Sequence, residues 1–181
     1  MSNVDEEKKI IRSQIRKLKE LLPEEKRIAK SKRILTQVEQ LSYFREASAV
    51  MLYWSMDDEV YTHDFIRYWG DKKQIILPCV SGDELLLRRF ENIETMRKGE
   101  TFSIFEPSGE LFQHPENIDL IIVPGVAFDQ SNNRIGRGKA YYDKLLKSSQ
   151  SFKLGICFDF QLLKHVPIDQ YDVKMDLIIS G

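Results

Sequence analysis

The chain has 181 residues, with 27 basic against 28 acidic side chains and a formal charge of −1. Apolar residues make up 42% and charged residues 30%, which suits a globule with a core of its own rather than a disordered chain. The near-neutral balance excludes a general nucleic-acid binder, which carries a strong basic excess, but leaves room for a local cationic site.

No apolar run approaches the roughly 20 residues of a membrane span. The start, MSNVDEEKKI, is acidic and lacks a signal-peptide core. Cys79 and Cys157 each sit in an apolar run, without a CxxC pair or a histidine partner, so both read as reduced, buried thiols. A cytoplasmic location and one domain over 1–181 are the expectation. His63, His114 and His165 show no metal spacing and read as structural or surface residues.

In chain order, the first forty residues predict two helices divided at Pro23, with Glu24 and Glu25 in the second helix's first turn. In the first helix Ile11, Ile15, Leu18 and Leu22 form an apolar stripe. Lys8, Arg12, Arg16 and Lys19 form a cationic stripe beside it. Strands are expected at 47–54, 74–80, 84–90, 101–105, 119–123, 152–158 and 176–180, and helices at 62–70 and 138–149. Several strands are apolar throughout and alternate with helices. The expected fold is therefore α/β: a mostly parallel central sheet with helices on both faces, a Rossmann-like three-layer sandwich. Ligands in such folds gather at the carboxyl ends of the strands.

The segment VPGVAFDQSNNRIGRGKAYYD begins at that end of strand 119–123. Gly136 and Gly138 would let backbone N–H groups approach an anion, and Arg134, Arg137 and Lys139 add full charges. This reads as a phosphate cradle, although it lacks the GxxxxGK[ST] spacing of a P-loop; a flexible loop of solvated cations is the plainer alternative. Asp143 offers a carboxylate for Mg2+ beside a polyphosphate, or a surface pair with Lys139 or Lys147.

The same segment resembles the signature of the 5-formyltetrahydrofolate cyclo-ligase family, whose pattern runs PG-x-AFD, a turn, then RLGRGKGYYD. KKIIRSQIRKL, YWSMDDEVYT, ILPCV, FEPSGE and YDVKMDLII resemble further family segments in order, from about residue 8 to 179. The resemblance implies ATP- and Mg2+-dependent closure of 5-formyltetrahydrofolate to 5,10-methenyltetrahydrofolate, with release of ADP and phosphate. Phosphorylation would make the formyl oxygen a leaving group, so that catalysis rests on positioning and charge stabilisation. By the same resemblance Lys8, Lys9, Arg12, Arg134, Gly136, Arg137, Gly138, Lys139 and Tyr142 would bind ATP, and Arg137 and Lys139 would act on the transferring group. Trp54, Glu59, Arg137 and Tyr141 would bind the folate, and Asp143 and Asp176 would hold Mg2+. Glu106 and Pro107 would shape the pocket mouth.

The partner implied is this small molecule, in some cases polyglutamylated, with no nucleic acid or membrane and with the chain acting as a monomer. Taken without the resemblance, Lys8, Lys9 and Arg12 read as a solvated basic face, Trp54 as core packing, and Glu59 as part of an acidic turn. One departure is Ala140, where the family usually has glycine. A positive φ there would cost alanine about 1 kcal/mol; a helical position would tolerate it, and the expected helix from 138 favours the second. The rival functions are a sugar-phosphate enzyme without ATP dependence and a non-catalytic anion- or RNA-binding module.

Overall fold

The structure, a computed structural model, describes residues 3–99 and 105–181. Helix α1 (Asn3–Glu20) is followed by α2 (Glu24–Gln40), for which Pro23 supplies the extended N-cap. A short α3 (Ser42–Glu46), absent from the sequence expectations, leads into β1 (Ala49–Met51). Helix α4 (His63–Gly70) and strands β2 (Gln74–Ser81) and β3 (Glu84–Arg89) fall close to their expected bounds. Strands β4 (Met96–Lys98) and β5 (Phe105–Pro107) pair as a small ribbon. Of the strand expected at 101–105 only Phe105 is among the described residues. Next come β6 (Leu120–Val123), β7 (Ala127–Asp129), β8 (Arg134–Ile135), α5 (Tyr141–Lys147), β9 (Phe152–Cys157), β10 (Leu162–Leu163) and β11 (Leu177–Ser180).

The main sheet has the order β11-β9-β6-β1-β2-β3. All its pairs are parallel except β2–β3, a hairpin turned at Gly82 with φ 58°. Alternation along each strand feeds two cores. Val50, Leu52, Leu120, Ile122, Leu154 and Ile156 face α2, α3 and α4, where Ile34, Val38, Phe44 and Ile66 meet them. Ala49, Met51, Ile121 and Val123 face the other side, with Leu146 of α5, Phe128 and Met175. The expected α/β sandwich is present, with helices on both faces. Helix α1 packs on a second sheet, β10-β7-β8, through Ile11 and Ile15. Leu18, expected in its apolar stripe, is 43% exposed.

Two readings of the central motif are corrected. The alternative of a flexible loop does not hold for 127–135: Ala127–Asp129 and Arg134–Ile135 pair as a hairpin, β7–β8, whose turn holds Asn132 at φ 64°. Asp129, 0% exposed, organises it. Its Oδ1 accepts from the Ser131 and Asn133 backbone N–H groups at 2.9 and 3.0 Å. Its Oδ2 accepts from Asn133 Nδ2 at 2.9 Å and from the Val166 N–H at 3.0 Å. Burial would raise the carboxyl pKa, but these hydrogen bonds outweigh it and hold the group below the ordinary carboxylate range. Phe128, on the same strand, lies so close to Gly125 and Gly155 that a Cβ on either would sit 2.5 or 2.7 Å from its ring. That approach locks the small sheet against β6 and β9.

The second correction concerns Ala140. Helix α5 begins at Tyr141 rather than 138, and Ala140 is its N-cap at φ 54°, ψ 15°. Alanine therefore occupies the left-handed region, at a cost of about 1–2 kcal/mol. Ala140→Gly is expected to relieve this strain, partly offset by the greater freedom glycine gives the unfolded chain. The net gain of about 0.5–1 kcal/mol would appear as a melting temperature higher by about 2 °C. Asp129→Asn is expected to turn an amide N–H2 toward donors and cost at least ~3 kcal/mol in chemical denaturation. Because the folded-state pKa is depressed, wild type holds this advantage above about pH 4 and loses it as pH falls further. The gap between the two proteins should narrow on that acid limb.

Candidate active site

The chain leaves β1 at the carboxyl edge of the sheet, and Tyr53 and Trp54 turn there into the wall of a cavity of about 260 Å3. The volume lies near the lower end for ligand clefts, roughly 300–1,000 Å3. Tyr53, Trp54, Pro78, Val80, Leu85 and Pro124 give it apolar sides. Its polar rim comes from Glu59, Glu106, Arg134, Gly136, Arg137, Lys139, Tyr141, Tyr142 and Asp143.

The segment 53–62 is pinned from within. Ser55 and Thr62 exchange hydrogen bonds from backbone N–H to hydroxyl, both at 3.2 Å, and the Thr62 hydroxyl donates to the Tyr53 carbonyl at 2.6 Å. This fixes Glu59, whose Oε2 accepts from the Met56 N–H at 3.0 Å. Trp54 stacks on His63 at 3.9 Å between ring centroids and 13° between planes. His63 Nε2 donates to the Ser55 carbonyl, and burial holds the imidazole pKa below its ordinary value. Trp54 thus packs against the core and lines the cavity, so its two readings are not exclusive.

Across the mouth, the Arg137 guanidinium reaches Asp58 Oδ1 at 2.5 Å and Glu59 Oε1 at 3.0 Å. Asp58 also meets Lys19 of α1 at 3.1 Å. Burial acts against both charges, yet the pairing wins. The Asp58 pKa is lowered by Lys19 and Arg137, and that of Arg137 is raised by Glu59 and Asp58. Lys139 is exposed on the rim, and among the described residues it makes no ion pair or hydrogen bond.

Arg134 differs from Arg137. It is buried, donates to Asp143 Oδ1 at 2.7 Å and to the Pro124 carbonyl at 3.2 Å, and lies over the Tyr142 ring. The partner of Asp143 is this arginine, not Lys139 or Lys147. Arg134 Nε and the Tyr142 hydroxyl are buried and have no hydrogen-bond partner among the described residues. Burial pushes the Tyr142 phenol well above its ordinary range, with the Glu59 charge adding to it. Tyr141 donates its hydroxyl to the Gly82 carbonyl at 3.1 Å, tying α5 to the β2–β3 turn.

Three cations of the α1 stripe, Lys8, Arg12 and Lys19, are stitches to the rest of the chain, while Arg16 is exposed. Lys8, 5% exposed, bonds Asp169 at 2.6 Å and Asp172 at 2.5 Å. Arg12 Nε donates to the Gly136 carbonyl at 2.9 Å, and its guanidinium carbon lies 3.6 Å from where a Gly138 Cβ would stand. Lys9 is exposed on another face and pairs with Glu6, so it is not brought to the cavity. Asp176 is not brought there either. It precedes β11 and accepts from the Lys153 N–H at 2.7 Å. That is the amino edge of the sheet, opposite the edge where Pro124 and Gly125 line the cavity. Asp143 and Asp176 do not converge on one ion. Among the described residues no group of three or more His, Cys, Asp or Glu side chains converges as a metal site. Of the two carboxylates Asp143 alone lines the cavity, with its Oδ1 bonded to Arg134.

Sequence reading missed the apolar wall formed by Tyr53, Met56, Pro78, Val80, Leu85, Pro124 and Gly125, because these residues are dispersed over β2, β3 and the exits of β1 and β6. It also missed the Lys19–Asp58 link, whose one sequence trace was Lys19 on the cationic stripe. Glu106 does line the mouth, and its Oε1 accepts from the Val80 N–H at 3.1 Å.

Comparison with known proteins agrees with this architecture. The family model for the 5-formyltetrahydrofolate cyclo-ligase family matches residues 4–181. A probable 5-formyltetrahydrofolate cyclo-ligase of Schizosaccharomyces pombe is 32% identical over 167 residues, 81% of each chain. The 5-formyltetrahydrofolate cyclo-ligase of Mus musculus is 26% identical over 192 residues, covering 97% of this chain and 94% of that one. Among solved structures, the NMR structure of the Aquifex aeolicus 5,10-methenyltetrahydrofolate synthetase superposes with a TM-score of 0.86 at 33% identity, over 96% of this chain and 89% of that one. The Mycoplasma pneumoniae 5,10-methenyltetrahydrofolate synthetase gives 0.75 at 26% identity, over 95% and 97%. By sequence and by fold, this chain belongs to the 5-formyltetrahydrofolate cyclo-ligase family.

Proposed function

We propose that the chain converts 5-formyltetrahydrofolate to 5,10-methenyltetrahydrofolate with cleavage of ATP. One observation carries this reading beyond family membership: an apolar, aromatic-walled cavity ends at a rim where a carboxylate, Glu59, stands beside two cations, Arg137 and Lys139. The wall suits a flat ring system, the carboxylate suits the donor-rich edge of a pterin, and the cations suit a phosphoryl group in transit. No side chain on the rim is arranged as a nucleophile with its base, which fits a reaction run by positioning and charge.

ATP supplies the phosphoryl group that makes the formyl oxygen a leaving group as N10 of the folate closes on the formyl carbon. The chain's own part is to hold the reactants. Trp54 and Tyr53 supply aromatic wall to the cavity, and Glu59 accepts from the pterin edge. Gly138 sits at φ 99° next to Lys139, a backbone shape that lets N–H groups crowd an anion. Arg12 braces that bend through Gly136. Lys139, the rim cation with no partner among the described residues, stabilises charge on the transferring group. Arg134 sets the bend from beneath, and its unpartnered Nε, with the Tyr142 hydroxyl, is a polar point at the cavity wall for a bound ligand or water. Asp143 is the carboxylate proposed for Mg2+.

The test is an absorbance assay for the methenyl chromophore, with protein, Mg-ATP and 5-formyltetrahydrofolate. The chromophore is expected to form, and omission of ATP should abolish it; formation without ATP would overturn the reading. Lys139→Ala is expected to fold normally and to lose about 100-fold in kcat, whereas near-normal turnover would remove Lys139 from the chemistry. Asp176→Asn is expected to keep activity within about threefold of wild type, because its amide oxygen can still accept from the Lys153 N–H. A large loss there, without unfolding by circular dichroism, would return Asp176 to the site.

A further inference from the structure

Arg137 sits between Gly136 and Gly138 on a bend with few backbone constraints, and its guanidinium is 41% exposed. A side chain so placed has no rigid wall to orient it. Its position comes from two carboxylates. Glu59 lines the cavity, and in the cyclo-ligase reading it turns to the pterin when substrate arrives. Asp58 does not line the cavity. It is the carboxylate that remains with Arg137, and it is itself anchored: Lys19, whose side chain is only 6% exposed, bonds its other oxygen at 3.1 Å. The Ser55–Thr62 exchange and the hydrogen bond from Arg27 to the Glu59 carbonyl at 3.3 Å fix the backbone that carries it.

We infer that Asp58, held by Lys19, is the positioning residue that aims Arg137 at the reacting phosphoryl group. The inference rests on the function proposed above. It gives the relay Lys19–Asp58–Arg137 a direction: the relay starts on helix α1, crosses the pinned segment 53–62, and ends on the bend between Gly136 and Gly138. Charge also follows. At rest Lys19, Arg137, Asp58 and Glu59 sum to zero. When Glu59 accepts from a neutral pterin edge the sum is unchanged, but Arg137 is left with Asp58, which it shares with Lys19, so one face of its guanidinium is free to meet a phosphate oxygen. The Asp58–Arg137 pair is 41% exposed on both sides, and an asparagine at 58 can still accept from Lys19, so loss of the charge should be felt in turnover more than in folding.

The experiment is a double-mutant cycle on the full chain, read as kcat and as KM for 5-formyltetrahydrofolate and for Mg-ATP. Asp58→Asn is expected to lower kcat by about 10- to 100-fold, since misplacement by about 1 Å suffices, with folate KM changed less than about threefold and a melting temperature within about 4 °C of wild type. In an Arg137→Ala background, the same Asp58→Asn change should cost less than about twofold, because there is no guanidinium left to aim. If Arg137→Ala alone falls below detection, Arg137→Lys, which lacks the fork geometry, serves as the second background. Asp58→Glu should recover part of the loss. Asp58→Asn with kcat within twofold of wild type would overturn the assignment, and so would a loss that multiplies fully with the Arg137 change. A wild-type chain that forms no methenyl product would instead overturn the function proposed above.

Discussion

The site depends first on a carboxylate that never meets solvent. Asp129 accepts four hydrogen bonds, three of them from the turn it closes and one from Val166. Burying that charge is tolerable because both oxygens are saturated. The result is a stiff hairpin whose outward strand carries Phe128 between Gly125 and Gly155, and whose return strand delivers Arg134 and then Gly136 to the cavity. The flexible bend that follows starts from a fixed point. A bend of this kind can offer N–H groups to an anion only if its origin does not drift.

Around the cavity most charges are already matched. Lys8 has Asp169 and Asp172, Arg134 has Asp143, and Arg137 has Asp58 and Glu59. A cavity mouth crowded with unpaired cations would repel itself and pull in any passing anion. Pairing holds each charge in place until a ligand offers a better partner. The pairs differ in depth: Arg134–Asp143 is nearly sealed, with side chains 3% and 16% exposed, while Arg137 is open on its outer side. The sealed pair shapes the bend, and the open one is free to respond.

The central parallel strands were legible because each is a short apolar run, and LIIV and FKLGIC permit little else. The two-sided burial of Val50 against Met51 follows from the same composition. The hairpin β7–β8 was not legible, since Ala127–Asp129 and Arg134–Ile135 are too brief to show alternation, and its stability comes from Asp129 reaching Val166, 37 residues away. Gly136, Arg137 and Lys139 could be gathered from the glycine-rich motif, and Glu59 and Trp54 through the family resemblance; all five meet at one cavity. Charge type did not reveal depth, so Arg134 and Arg137 looked alike although one is buried and one is not. Asp176 and Asp172 sit four residues apart in YDVKMD; only geometry separates the one on the amino edge from the one beside Lys8. The helix start was misjudged for a local reason: a left-handed alanine has no sequence signal, because alanine is also the residue most at ease in a helix.

The chain has two tryptophans, and their settings differ. Trp69 donates its indole N–H to Glu39 at 2.9 Å in the helical layer. Trp54 has one face covered by His63 while it lines the cavity. The depressed pKa of His63 keeps that imidazole neutral around pH 7, so it does not act there as a charged quencher. Of the two indoles only Trp54 lines the cavity, so a change of indole emission on filling the cleft would be traced to Trp54, with no label attached.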